Sequence, residues 1–323
     1  MNDPLSMAHS DEKCNKYTRE AGKLIPIIDT HQHLWDLSQM SLPWTKNLEL
    51  MNRSYLMSDY LRDSDGMGII GSVYMEVNVT PEQRLTEIDQ ITSHCVSSSN
   101  PMKALVISGD PDSNQFNEYL DSVSGNSFVK GLRCVLHMDE REKGSCLRKD
   151  FVSGVKELGR RGLLFSICIR PSELDDAVDL AKQCPETVFV LDHCGNADPN
   201  IINGESIGRE ETWGPLYTHT KSGWEDSIGE LSSLDNVICK ISGIVARSEK
   251  GWEADDLAPT INHCLDSFGS ERVIFGSDWP VCLFGSDLKG WVTAYRHILS
   301  ERDTDFQHNA MHGTAERVYK LEG

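Results

Sequence analysis

Eight short apolar runs, most of them followed by a stretch of helical character, constrain this 323-residue chain more than any other feature. They cover residues 25–29, 69–77, 103–110, 129–137, 163–171, 187–195, 236–244 and 272–280. Continuous apolar runs of this length suit strands buried on both faces, as in a parallel sheet. Between them lie helix signals, such as Pro81 at a first-turn position and Ser172 as a cap before an acidic first turn. Helices are expected over residues 55–67, 81–97, 114–123, 150–162, 172–184, 224–234, 257–269 and 309–321. Eight alternating units are the count of a (β/α)8 barrel. We therefore expect an α/β fold with a single barrel domain over residues 24–323, preceded by a loose polar tail, residues 1–23. A doubly wound sheet would alternate in the same way. However, no G-x-G-x-x-G or phosphate-binding loop follows any run, which weakens that option. The longest irregular stretch, residues 196–223, follows the sixth run and has the position of a functional loop.

The net charge of −19 argues against nucleic acid or an anionic membrane as partner, and leaves a small-molecule substrate open, even an anionic one. The ten cysteines are scattered without a C-x-x-C pair. Cys134, Cys168 and Cys239 sit in apolar runs as small hydrophobes, a usage suited to a reducing compartment. With no apolar leader and no window of roughly 18 apolar residues, a cytoplasmic location is expected.

The first run ends in His31-Gln32-His33. Strand side chains alternate faces, so the two histidines point the same way and can grip one divalent ion. A pair of hydrogen-bonded histidines at a strand end is the alternative. The sixth run ends in Asp192-His193 and the eighth in Ser277-Asp278. In a closed barrel these carboxyl ends meet at one mouth, where three imidazoles and a carboxylate form an open metal site. Asp278 can both touch metal and accept a proton from bound water. Taken singly, His193 reads first as a satisfied strand-end residue, and the alternative for Asp278 is a loop cap.

Three cations interrupt apolar runs: Arg133, Arg170 and Lys240. Both arginines suit fork-like binding of a carboxylate or sugar hydroxyls. Lys240 either contacts substrate or forms a buried ion pair. Glu76 is a candidate hydroxyl acceptor or salt-bridged strand end. Trp35 and Trp279 suit stacking on a sugar ring or packing at the rim. His137 is a candidate for the outer mouth.

DTHQHLW, VLDHCG and IFGSDWP together resemble the amidohydrolase-related family, a branch of the metal-dependent TIM-barrel hydrolase superfamily, and within it the sugar-lactone hydrolases. GLRCVL, NVICKISG and the closing GTAERVYKL extend the resemblance over nearly everything from Leu24 onward. It implies His31, His33 and His193 as metal-site residues, with Asp278 as general base and metal contact. The fourth run, GLRCVLH, lacks the lysine or glutamate that bridges two ions in other members, so one divalent ion at most is expected, zinc first. Some lactonases of this group work without metal. The implied reaction is attack of an activated water on a lactone carbonyl, with a sugar-acid lactone as substrate and His193 beside Asp278. The alternatives are a non-oxidative decarboxylase on the same fold and an inactive barrel that binds a metabolite.

Overall fold

A computed structural model describes residues 19–20, 23–204 and 218–321. Most of the expected tail, part of the long loop (residues 205–217) and residues 322–323 lie outside the described residues. Arg19–Glu20 pairs antiparallel with Lys23–Leu24 ahead of the main fold.

The eight apolar runs form eight parallel strands, paired in chain order. They are β1 (Ile27–Gln32), β2 (Ile69–Met75), β3 (Met102–Ser108), β4 (Val129–Val135), β5 (Leu164–Cys168), β6 (Phe189–Leu191), β7 (Val237–Ile241) and β8 (Val273–Phe275). Three bonds draw β8 against β1: Thr30 Oγ1 donates to the Phe275 carbonyl (2.6 Å), Asp278 N to His31 O (2.8 Å) and His33 N to Trp279 O (2.8 Å). The fold is a single (β/α)8 barrel.

The main outer helices are α1 (Met57–Asp63), α2 (Arg84–Val96), α3 (Phe116–Val123), α4 (Lys149–Arg160), α5 (Leu174–Gln183), α6 (Lys221–Ser232), α7 (Ala254–Phe268), α8 (Leu288–Leu299) and α9 (Thr314–Tyr319). Helix α8 was not among the expected elements. Its buried Arg296 ties it to the barrel by donating to the carbonyls of Ile25 and Met67, each at 2.9 Å. No helix among the described residues is long and apolar enough to cross a membrane.

Strands β6 and β8 are shorter than the runs that announced them, because both chains leave the sheet early. After β6, His193, Cys194, Gly195 and Asn196 all take positive φ. After β8, Asp278 does so at +57°. Non-glycine residues seldom occupy that region, and they cluster where a chain must aim a functional side chain.

Inside the barrel the lower layer is apolar: Ile28, Val73, Met75, Ala104, Val106, Leu164, Val190, Ile238 and Ile274 pack with Ala315 and Tyr319 of α9. A larger apolar layer fills the space between strands and helices.

Candidate active site

Above that apolar layer the inward positions turn ionic. His31, Arg133, Asp192, Lys240 and Asp278 are all buried. Asp192 is the hub: Lys240 Nζ lies 2.9 Å from its Oδ1, His31 Nδ1 3.6 Å from the same oxygen, and Arg133 Nη1 3.8 Å from its Oδ2. Burial alone would raise the Asp192 carboxyl, but Lys240, His193 and Arg133 together hold it below the usual range. Burial would likewise strip Lys240 of its proton, and Asp192 opposes this strongly enough to leave it raised. A buried pair of this kind stays charged because each partner compensates the other.

The expected metal-site residues come together. The ring centroids of His31 and His33 lie 4.9 Å apart, those of His31 and His193 4.6 Å. Asp278 Oδ1 sits 3.3 Å from His33 Nε2 and 3.5 Å from His31 Nε2. Backbone and hydroxyl partners orient two of the rings. His33 Nδ1 meets the Met75 carbonyl at 2.9 Å and His193 Nδ1 meets Ser242 Oγ at 2.9 Å, which leaves each Nε2 for the site. Burial pushes His31 far down, helped by Lys240; burial and His31 do the same to His193. Both rings are therefore neutral and offer lone pairs.

Two glycines make room for these rings. A Cβ at Gly243, whose φ is +67°, would collide with the His193 imidazole, and one at Gly276 would lie 2.6 Å from His31 Cβ. A buried latch aims Asp278. Asp29 accepts from Ser277 N (2.7 Å), Ser277 Oγ (2.6 Å) and Tyr60 Oη (2.8 Å), locking β1 to the turn that carries Asp278. Burial raises the Asp29 carboxyl despite these bonds.

The donor set suits a divalent ion. Ligand atoms of His31, His193 and Asp278 fall within 4.8 Å of one another, with His33 adjoining, and neutral imidazoles plus a carboxylate are zinc-type ligands. Cations crowd it, however: Arg133 Nη1 is 3.2 Å from His31 Nε2, and Lys240 Nζ is 3.3 Å from His31 Nδ1. Arg133 is pinned there by Glu76, whose Oε1 accepts from Nε (2.6 Å) and whose carbonyl accepts from Nη2 (2.8 Å). A second triad of donors, Cys194, Cys239 and Cys264, is fully buried in the layer between barrel and helices, away from the mouth.

The mouth opens into a chamber of about 320 Å³. His33, Arg133, His193 and Asp278 lie on its wall, with His31 directly behind them. Several other wall residues were missed from sequence: Trp44, Asn78, Asn196, Arg247 and Phe284. They come from the connections that follow the strands, most of them in short helical turns, whose facing no strand period reveals. His137, the outer-mouth candidate, also lines the chamber. Burial, then Arg247, Arg133 and Arg170, push it down to about 3.

Three expected substrate contacts lie elsewhere. Trp35 is 1% exposed, donates Nε1 to the Arg53 carbonyl (2.6 Å) and packs edge-on against Trp44 and Tyr55. It is a core residue, and Trp44 takes the wall. Arg170 pairs with Glu173 (3.2 Å) and donates to the carbonyls of Met138 and Arg141, so it props a loop. Lys240 is fully buried behind His31 and pairs with Asp192. Arg133 does reach the chamber, while Glu76 holds it from the side.

A family model described as Amidohydrolase matches residues 28–321. The chain belongs to the amidohydrolase family. Among relatives of this family member is an L-fucono-1,5-lactonase of Burkholderia multivorans, 25% identical over 301 residues, covering 91% of this chain and 96% of that protein. A Burkholderia multivorans amidohydrolase crystallised with zinc superimposes with a TM-score of 0.77 at 22% identity, over 92% of this chain and all of that one. A 5-carboxyvanillate decarboxylase of Sphingomonas paucimobilis shares the fold at a TM-score of 0.61 and 13% identity, over 92% of this chain and all of that one.

Proposed function

We propose that this amidohydrolase opens a lactone, with a sugar-acid lactone as the substrate class. The observation that carries this reading is Asp278. It is a buried carboxylate on the chamber wall, aimed by a strained turn and placed against two histidines whose Nε2 atoms face it. The lactonase name of the Burkholderia multivorans relative supports it, since the match spans nearly the whole of both chains.

In this mechanism Asp278 accepts the proton of the attacking water and returns it to the departing ring oxygen. His193, neutral and fixed by Ser242 through Nδ1, turns its one free nitrogen to the chamber, where it steers the water when no ion is bound. Arg133, held rigid by Glu76, faces the chamber with a fixed positive charge where the carbonyl oxygen turns anionic. One divalent ion, zinc by ligand type, is proposed on His31, His33, His193 and Asp278, where it would polarise the carbonyl and acidify water. Arg133 and Lys240 lower the affinity for it by repulsion, so exchange into chelator should be easy.

The test is a panel of aldonolactones followed by acid release in a weakly buffered indicator assay, with carbon dioxide measured in parallel. Acid without carbon dioxide is the expected result. Carbon dioxide from an aromatic acid would replace lactone opening with decarboxylation, and silence across the panel would favour a binding protein.

A further inference from the structure

Beside the reactive chamber the cleft widens into a second cavity of about 470 Å³, and Trp44, Asn78 and Arg133 line both. The two cavities adjoin, yet they differ in chemistry. Val135 and Met138 line both cavities, but the chamber wall adds apolar Leu48, Val77, Val281 and Phe284. The annex carries a ladder of fixed charges. Arg84 pairs with Asp110 (2.8 Å), and Arg141 bridges Asp110 (2.6 Å) and Asp112 (2.8 Å). Ser108, 5% exposed at the end of β3, lines the annex, and its Oγ, shielded just behind the wall, has no hydrogen-bond partner. A buried hydroxyl left unpaired is costly and is normally answered by water or ligand.

Alternating guanidinium and carboxylate groups offer donors and acceptors at fixed spacing, and a hydroxyl is the group that uses both. Glu76, Asp110 and Glu140 offset Arg84, Arg133 and Arg141, so the annex offers a carboxylate no net attraction, and an apolar tail would strand the charges. Trp44 adds an aromatic wall common to both cavities, its Nε1 already committed to the Val77 carbonyl at 2.8 Å. We propose that the annex is a second sugar subsite, so that the substrate is an aldonolactone bearing a glycosyl unit. The lactone ring sits at Asp278 and the neutral sugar lies against Ser108, Arg84 and Arg141. For the first ring the proposal rests on the lactone-opening reading; the annex itself does not. Arg170 gains a role here: by holding the carbonyls of Met138 and Arg141 it keeps Arg141 on its two aspartates.

The experiment compares glucono-1,5-lactone with the lactones of maltobionic, cellobionic, lactobionic and melibionic acids. At least one glycosylated lactone should exceed the single ring in kcat/KM by about tenfold, through KM. Ser108→Val and Arg141→Met should shrink that advantage toward one, with circular dichroism confirming the fold. In parallel, calorimetry measures binding of the open disaccharide acids against gluconic acid, which requires no turnover. Tighter binding of a disaccharide acid that Ser108→Val abolishes supports the annex even where no lactone is opened. Equal kcat/KM across the panel and equal binding of all the acids overturns the annex and leaves lactone opening standing.

Discussion

The two ends of the barrel interior are built by the same eight strands and are chemical opposites. The lower end is an apolar plug, with Leu164, Val190 and Ile274 packed in one cluster with Tyr319 of α9. The upper end gathers Arg133, Lys240, Asp192, Asp278, His31, His33 and His193 within a few side-chain lengths. Between them stands Lys240, fully buried, its stem in the apolar layer's strand and its charge on Asp192. The difference teaches where each kind of stability comes from: area removed from water below, mutual compensation of charge above. The upper end is the one that opens onto the chamber lined by His33, Arg133, His193 and Asp278.

The largest effect should come from the upper end and touch rate alone. Asp278→Asn keeps the shape of the side chain but removes the proton acceptor. Turnover should fall by about two to four powers of ten while the urea midpoint stays near that of the parent. Native turnover with lost stability would instead make Asp278 a loop cap and end the proposed mechanism.

Next comes the join between the two ends. Lys240→Met fits the same space yet leaves Asp192 buried with its nearest cation gone. The loss should be about 3–5 kcal/mol of unfolding free energy, read from denaturant melts. Lys240→Met with Asp192→Leu together should recover much of that, because removing both charges removes the uncompensated one. Failure of the double variant to recover would mean that Asp192 works chiefly through His31 and Arg133.

At the lower end, Leu164→Ala should cost about 2–5 kcal/mol by transfer and cavity terms. The turnover of the protein that remains folded should not change. A lowered kcat there would show that packing at the bottom transmits to the mouth, and the two ends would no longer be separable.

This division explains what could be read from the chain beforehand. Strand parity and strand ends are local patterns, so His31, His33, His193 and Asp278 were legible as a convergent group, as was the barrel. Arg133 and Lys240 were legible as cations within apolar runs but not the hub they share, because Asp192 gains its partners only when the barrel brings β1, β4 and β7 around the end of β6. Trp35 and Trp44 are nine residues apart in one irregular segment, with no period to say which faces the chamber. Arg170 misled because a strand-end arginine looks alike whether it meets a ligand or props a loop. The Asp29 latch joins residues 248 apart, which no local pattern reveals.

The smallest effect probes how far the charged set reaches through the barrel wall. Glu87 lies on α2, 2% exposed, and its Oε1 accepts from Tyr74 Oη and Val77 N, each at 2.9 Å. Burial first, then the neighbouring Glu76, raise its carboxyl from 4.5 to about 7; Arg133 opposes them only weakly from beyond Glu76. It is thus the reverse of Asp192, a buried acid on which burial outweighs the nearby cation. The native state holds a proton on Glu87 that the unfolded chain releases near pH 4.5. Stability from this group is therefore complete below about pH 4.5 and is lost as pH rises through about 7. Glu87→Gln keeps a neutral side chain and an acceptor oxygen, so it should remove that slope. The stability difference between variant and parent should grow in the variant's favour from about pH 5 to 8 and then level. A difference flat across that range would place Glu87 ionised throughout, and the field of Arg133 would then extend past the strand that carries it.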